Sequence, residues 1–439
     1  MKALLSLAAQ SAWNRRGTLA LVMLSIALAT GLLLTLERLR ADIRASFSQA
    51  VSGTDLVVGA RTGGVQLMLH AVFHVGGATN SVKVQSLREI AAHRAVDWMV
   101  PLALGDSHRG FAVLGTTPEY FSRFLYGDRQ ALSLREGRTF AGTLDGLYEA
   151  VLGAEVAESL RYRIGSRITL THGLEAVGQG TSGAQGAQGA GGLSTEHADK
   201  PFTVVGVLAR TGTPVDRTVH VSLQAIQAIH LDWAGGAPMP GLRIPPEAAR
   251  KFDLEPQQVT AALIGLKNRV AVFAVQRLVA QYEAEPLMAV LPGVALDELW
   301  SAVGLGERAL LAMSLLVALV SLASLVAVVL AGLDERRREL AVLRAVGAGP
   351  RHVLALLAAE GAWVTLAGAL LGAVAAAAAV VLAGPWLQSR FGIALQWGAP
   401  TPAQWGLFAA VLGAGMLAGL VPGWRAYRLS LADGLSPRL

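Results

Sequence analysis

Cysteine is absent from the 439 residues and charge is scarce. The first absence excludes disulfides, thiolate metal sites and cysteine nucleophiles, while leaving an oxidising compartment open. Charged residues make up 15% of the chain and hydrophobic ones 53%. Ordinary soluble domains carry about 25% charge, so a substantial part of this chain belongs in lipid. Lysine is rarer still: Lys2, Lys83, Lys200, Lys251 and Lys267 are the whole set, and none follows a glycine. A phosphate-cradling Gly-x-x-x-x-Gly-Lys-[Ser/Thr] loop therefore has no place, and the chain is not expected to be an enzyme or to bind a cofactor of its own. The formal charge of +6 does not point to nucleic acid. In an apolar chain, basic residues mark the cytoplasmic ends of membrane helices.

Long uncharged runs are what the sequence does contain. Residues 17–36 carry no charge and, at about 1.5 Å per residue, match a hydrocarbon core of roughly 30 Å. The run is too long for a cleavable signal peptide and is followed by Glu37, Arg38 and Arg40. Residues 309–333 form a second predicted span, 353–389 a third with an uncharged stretch from 361, and 401–424 a fourth. Arg and Lys collect before the first span (Lys2, Arg15, Arg16), between the second and third (Arg336, Arg337, Arg338, Arg344, Arg351) and after the fourth (Arg425, Arg428, Arg438). This bias assigns the N-terminus (1–16), the connection 334–352 and the tail 425–439 to the cytoplasm of a bacterial inner-membrane protein. The short loop 390–400 and the long segment 37–308 lie outside.

A segment as long as 37–308 calls for a folded domain. Helical spacing over 149–160, a short strand at 167–171, and β-branched runs at 202–208 and 218–223 predict an α+β domain with a small sheet. Helix is expected at 87–93 and around 119–126, and 38–51 should continue the first span. Residues 173–195 are Gly-rich and low in apolar bulk, which predicts a flexible excursion. His70 and His74 share a helical spacing, but no Asp or Glu stands near to complete a metal site. The run 65–73 reads instead as an apolar contact surface, or as an exposed loop that meets a ligand.

After the second span, Leu340, Leu343 and Val346 fall at helical spacing and the pattern stops at Gly347, ahead of Pro350. By itself this is a short amphipathic helix inside the cytoplasm, or a positive-inside loop with no partner. The segment resembles the hallmark of the FtsX/MacB-type ABC permeases, Glu-x-Arg-x-Glu-[Ile/Leu]-x-x-Leu-Arg-Ala-x-Gly-Ala. Glu335, Arg337, Glu339, Leu340, Leu343, Arg344, Ala345, Gly347 and Ala348 stand in that register. Residues 151–160, 164–170 and 202–208 are similar to the MacB-like periplasmic core domain, and the tail from Pro422 resembles the family's closing segment.

The resemblance implies a homodimeric permease subunit in membrane lipid, bound to a separate cytoplasmic ABC ATPase that holds ATP and Mg. It makes 334–352 the coupling helix. ATP hydrolysis would then move the outer domain mechanically, to export or extract a lipoprotein, peptide or amphiphile, with a periplasmic or lipoprotein partner. Two alternatives stay open: an FtsX-like transmitter that regulates a cell-wall hydrolase, and a sensor or scaffold that transports nothing. Gly368 with Gly372, and Gly415 with Gly419, form small-residue pairs at helical spacing that predict close helix packing in lipid.

Overall fold

Four helices long and apolar enough to cross a membrane form where the uncharged runs lie, and an α+β domain fills the sequence between the first and second. The computed structural model describes residues 16–76, 80–173, 196–234, 237–239, 241–335, 349–391 and 398–428. The chain divides into a membrane unit (Met1–Ile43, Val303–Trp386 and Leu395–Leu439) and an outer unit (Arg44–Ala302 and Leu387–Ala394). Helix α1 (Arg16–Gln49) runs past its apolar stretch without a break, through most of the continuation expected over 38–51.

The outer unit is built on eleven strands rather than the small sheet expected. In chain order these are β1 (Leu56–Ala60), β2 (Val96–His108), β3 (Phe111–Thr116), β4 (Leu134–Gly137), β5 (Glu149–Leu152), β6 (Arg167–Ile168), β7 (Thr171–His172), β8 (Phe202–Leu208), β9 (Thr218–Ser222), β10 (Ala261–Leu266) and β11 (Leu287–Val290). Their order across the sheet is β11-β1-β10-β2-β3-β9-β5-β8-β4, with β7 paired to β2 and β6 to β8. β3 with β9, and β5 with β8, run parallel; the other pairs are antiparallel. β1 and β9 are buried along their whole length because helices cover the sheet on both faces. Helices α2 (Gly64–Ala71) and α3 (Val84–Ala91) lie on opposite faces near β1, as the separate cores around Leu67 and Leu87 show. Helices α4 (Ala154–Leu160) and α5 (Leu223–Ile229) contribute Val156, Ala157, Ala225 and Ala228 to a third core against β5, β8 and β9. Helix α6 (Val272–Ala280) joins the core of α3 through Val275 and Val279.

Several local expectations are corrected. Residues 149–152 are β5, and the helix expected over 149–160 starts only at Ala154, beyond Gly153. The strand expected over 167–171 is split into β6 and β7. Around 119–126 only Tyr120–Arg123 is helical, before the two-residue strand Leu125–Tyr126. The run 65–73 is no exposed loop: Leu67, Met68 and His70 of α2 are buried, and a Cβ on Gly59 of β1 would stand 2.5 Å from Leu67 Cδ1. The excursion expected over 173–195 lies, but for Gly173, outside the described residues.

Helix α7 (Pro292–Glu335) begins well before its apolar stretch, directly after β11. Helices α8 (Pro350–Phe391) and α9 (Pro402–Arg428) complete the set. Half of the apolar window of α1 is buried, against 22% for α7, 22% for α8 and 11% for α9, so α1 is the centre of the membrane unit. Leu19, Val22 and Ile26 of α1 meet Leu325 and Val329 of α7 and Leu357 and Val364 of α8 in one cluster. Leu21, Leu24, Leu316 and Leu371 face outward, as a lipid-facing surface requires.

Of the small residues named from sequence, Gly368, Gly372 and Gly419 sit close to the backbone of a neighbouring helix and Gly415 sits against a side chain. A Cβ on Gly368 would stand 2.9 Å from Met23 O, and one on Gly372 2.6 Å from Ala27 O and 2.9 Å from Gly31 N, so both face α1. Gly415 meets Thr365, and Gly419 meets Gly361, which places both of these against α8. The contacts lie within one chain. Gly372→Val drives a branched side chain into the α1 backbone and should cost about 1–3 kcal/mol. The melting temperature of the solubilised protein should drop by at least about 2 °C. A Cβ on Gly413 would meet nothing within 4 Å, so Gly413→Ala should leave the melting temperature unchanged or slightly raised.

Candidate functional site

Of the segment expected to couple to the ATPase, Glu335 is the last residue of α7; Arg337, Glu339, Leu340, Leu343, Arg344, Ala345, Gly347 and Ala348 lie outside the described residues. The described part of the membrane unit contains an apolar cavity of about 350 Å³. Leu34 of α1, Leu370, Ala373 and Ala377 of α8, and Trp405 and Phe408 of α9 line it. Its polar groups, Arg38 and Gln404, are engaged. Arg38 donates to Asp42 Oδ2 at 3.0 Å and to the Ala399 carbonyl at 3.1 Å, and Gln404 Nε2 donates to the Leu34 carbonyl at 3.0 Å. Arg40 pairs with Glu307 of α7 at 3.0 Å. These bonds fasten one end of α1 to α7 and to the start of α9, where the greasy surface alone fixes no register.

The outer unit holds a polar cluster that no local spacing announces. The register of β7 on β2 sets His172 directly opposite Asp106. His197 follows the bridge between Thr171 and Glu196, with its amide donating to the Leu170 carbonyl at 2.8 Å. His230 caps the C-terminus of α5, whose N-terminus is fixed by Ser222 Oγ accepting from the Ala225 amide. His172 Nδ1 stands 3.1 Å from Asp106 Oδ1 and 3.0 Å from His230 Nε2, and His230 Nε2 is 3.5 Å from the same carboxylate oxygen. One ligand-type atom from each of the four residues lies within 4.8 Å of the others. Trp233 closes one side, its ring centroid 4.1 Å from that of His197.

Burial pushes the Asp106 carboxyl up, but hydrogen bonds from His172 and His230 outweigh it and hold the group down at about 2. Burial, reinforced by His230, pushes the His197 imidazole down to about 4. For His230 burial is outweighed by the Asp106 hydrogen bond and charge, which raise it. The nearby Lys200 is fully buried and bonded to Asp232 at 2.6 Å and Asp199 at 3.1 Å. The pair His70 and His74 does not join this cluster. His70 lies in the core of α2 with both ring nitrogens unpartnered, and His74 Nδ1 is 3.1 Å from Thr218 Oγ1.

These features belong to a recognisable class, a four-span membrane protein with a folded domain inserted after the first span. A model of the MacB-like periplasmic core domain matches residues 17–281, and a model of the FtsX-like permease C-terminal region matches residues 311–431. The chain belongs to this family, the permease components of ABC transporters, whose ATPase resides in a partner subunit. It is accordingly a multi-pass membrane protein. Among solved structures, the periplasmic region of MacB from Actinobacillus actinomycetemcomitans is similar at 10% identity and a TM-score of 0.32, over 57% of this chain and 95% of that one. The extracellular domain of the noncanonic ABC-type transporter YknZ from Gram-positive bacteria is similar at 12% identity and 0.28, over 54% and 99%. No curated protein matches the chain.

Buried histidines give the outer unit a defined acid response. His220 on β9 is fully buried beside Tyr120 and Phe121, and burial pushes its imidazole from about 6.5 down to about 4. The folded form therefore stays neutral where the unfolded chain takes up a proton. Its contribution is complete above pH 6.5 and is lost as pH falls towards 4, at roughly 1 kcal/mol per pH unit. Thermal unfolding followed by circular dichroism should show stability falling across that window, with a shallower slope in His220→Leu.

Proposed function

We propose that this permease works by mechanotransmission: ATP hydrolysis in the partner subunit moves the outer domain, which extracts or expels a lipoprotein, peptide or amphiphile at the outer side of the inner membrane. The observation that carries the reading is the order of the two family matches, with the periplasmic core inserted after the first of four spans. The charge bias supports cytoplasmic termini, with the segment 334–352 facing the ATPase. Leu340 and Leu343 supply apolar knobs for a cleft on the ATPase, and Glu339 and Arg344 supply charges for its rim. An amphiphilic cargo is favoured by the apolar cavity between α1, α8 and α9, whose volume suits part of an acyl chain. Four spans per chain make a homodimer the working unit by analogy with the family, with a periplasmic or lipoprotein partner receiving the cargo.

Affinity capture of the solubilised protein from its native cells, beside a Leu340→Asp, Leu343→Asp double variant, tests the coupling assignment. An ATPase should co-purify with the wild type and be lost from the folded variant. Retention of the ATPase by the variant would remove 334–352 from the interface, and a folded wild type that brings down no ATPase would leave a sensor or scaffold.

A further inference from the structure

Three imidazoles and a carboxylate from distant parts of the chain share one pocket of the outer unit, and their arrangement is that of a ligand set. We propose that Asp106, His172, His197 and His230 bind one divalent transition cation of the zinc class, through three imidazole nitrogens and one carboxylate oxygen. The separations of 3.0, 3.1 and 3.5 Å among the Asp106, His172 and His230 atoms form a triangle. Bonds of about 2.0–2.1 Å in a tetrahedral site place ligand atoms about 3.3 Å apart, so this triangle is one face of such a site.

His197 supplies the fourth corner. It is fully buried, neither ring nitrogen has a hydrogen-bond partner, and one of them lies within 4.8 Å of the other three ligand atoms. A buried imidazole with no partner is a group waiting for one. His230 is oriented as a ligand would be: its Nδ1 donates to the Ile226 carbonyl at 2.8 Å, and its Nε2, which faces Asp106 and His172, would release its proton to present a lone pair to the ion. The backbone holds the set in place through the register of β7 on β2 and the bridge at Glu196. Lys200, the nearest ammonium, is paired with Asp232 and Asp199 and leaves Asp106 to the cluster.

The donor set selects the ion. Imidazole nitrogens favour zinc, copper and nickel, whereas magnesium and calcium prefer an all-oxygen shell. The ion would cross-link β2, β7, residue 197 and the end of α5. His172 and His197 bracket residues 174–195 in sequence, so the same ion would pin the chain at both ends of that stretch. The inference stands independently of the transport mechanism.

The test uses untagged full-length protein in detergent, stripped with chelator and titrated with zinc. The wild type should retain one zinc per chain after desalting, and its melting temperature should rise with zinc but not with magnesium or calcium. Cobalt should give the intense visible absorption of a tetrahedral site. His197→Ala should weaken zinc affinity by at least about tenfold, and so should His172→Ala at the half-exposed rim, which decides the matter should the buried variant misfold. His93→Ala, away from the cluster, should bind like the wild type. A stripped wild type that retains no zinc and shows no thermal shift would overturn the proposal, leaving a hydrogen-bonded network. Equal zinc retention by folded His172→Ala and His197→Ala would overturn it as well.

Discussion

Close backbone approach between α1 and α8 is the contact on which the membrane unit depends. In lipid, apolar surfaces gain little by meeting one another, so helices associate where small residues let their backbones touch. Gly31 and Gly372 face each other across that contact, and Gly368 extends it to Met23 and Ile26. Gly415 and Gly419 then bring α9 against α8 at Thr365 and Gly361. Central α1 also receives Ser321 of α7, whose hydroxyl reaches the Ser25 carbonyl at 3.2 Å. Four mostly greasy helices thereby acquire a unique arrangement from a few small and polar residues.

In the outer unit the constraint is the reverse: water drives apolar surface together, and the sheet is sandwiched by helices on both faces. β2 carries the arrangement. It pairs with β10 along one half and β3 along the other, and its last residues pair with β7. The helices α1 and α7 are each continuous across the boundary between the two units.

Sequence alone reveals what a single strong physical rule dictates. The need to satisfy every backbone group in lipid makes spans legible as uncharged runs, and 17–36 and 309–333 fall inside α1 and α7. The isolated β-branched run at 202–208 coincides with β8. The stretch 149–152 reads as helix because a strand buried on both faces is a plain apolar run, indistinguishable by periodicity from the helix that follows it. The stretch 65–73 reads as a surface because its apolar residues meet Gly59 on another strand, a partner with no local signature. The Asp106 and histidine cluster is hidden for the same reason on a larger scale: His172 and Asp106 are 66 positions apart and meet only through strand register. The family segment 335–348 is readable, since it is a contiguous pattern, yet all of it beyond Glu335 lies outside the described residues.

Nucleotide chemistry in a partner subunit, on this account, is converted into movement of the outer unit. Hydrogen exchange on the permease with its ATPase in lipid nanodiscs, compared between ATP and ADP, tests that conversion most directly. The account predicts that protection changes with nucleotide at residues 44–49 and 292–302, where α1 and α7 enter the outer unit. Identical exchange in both states, while ATP is being hydrolysed, would contradict it.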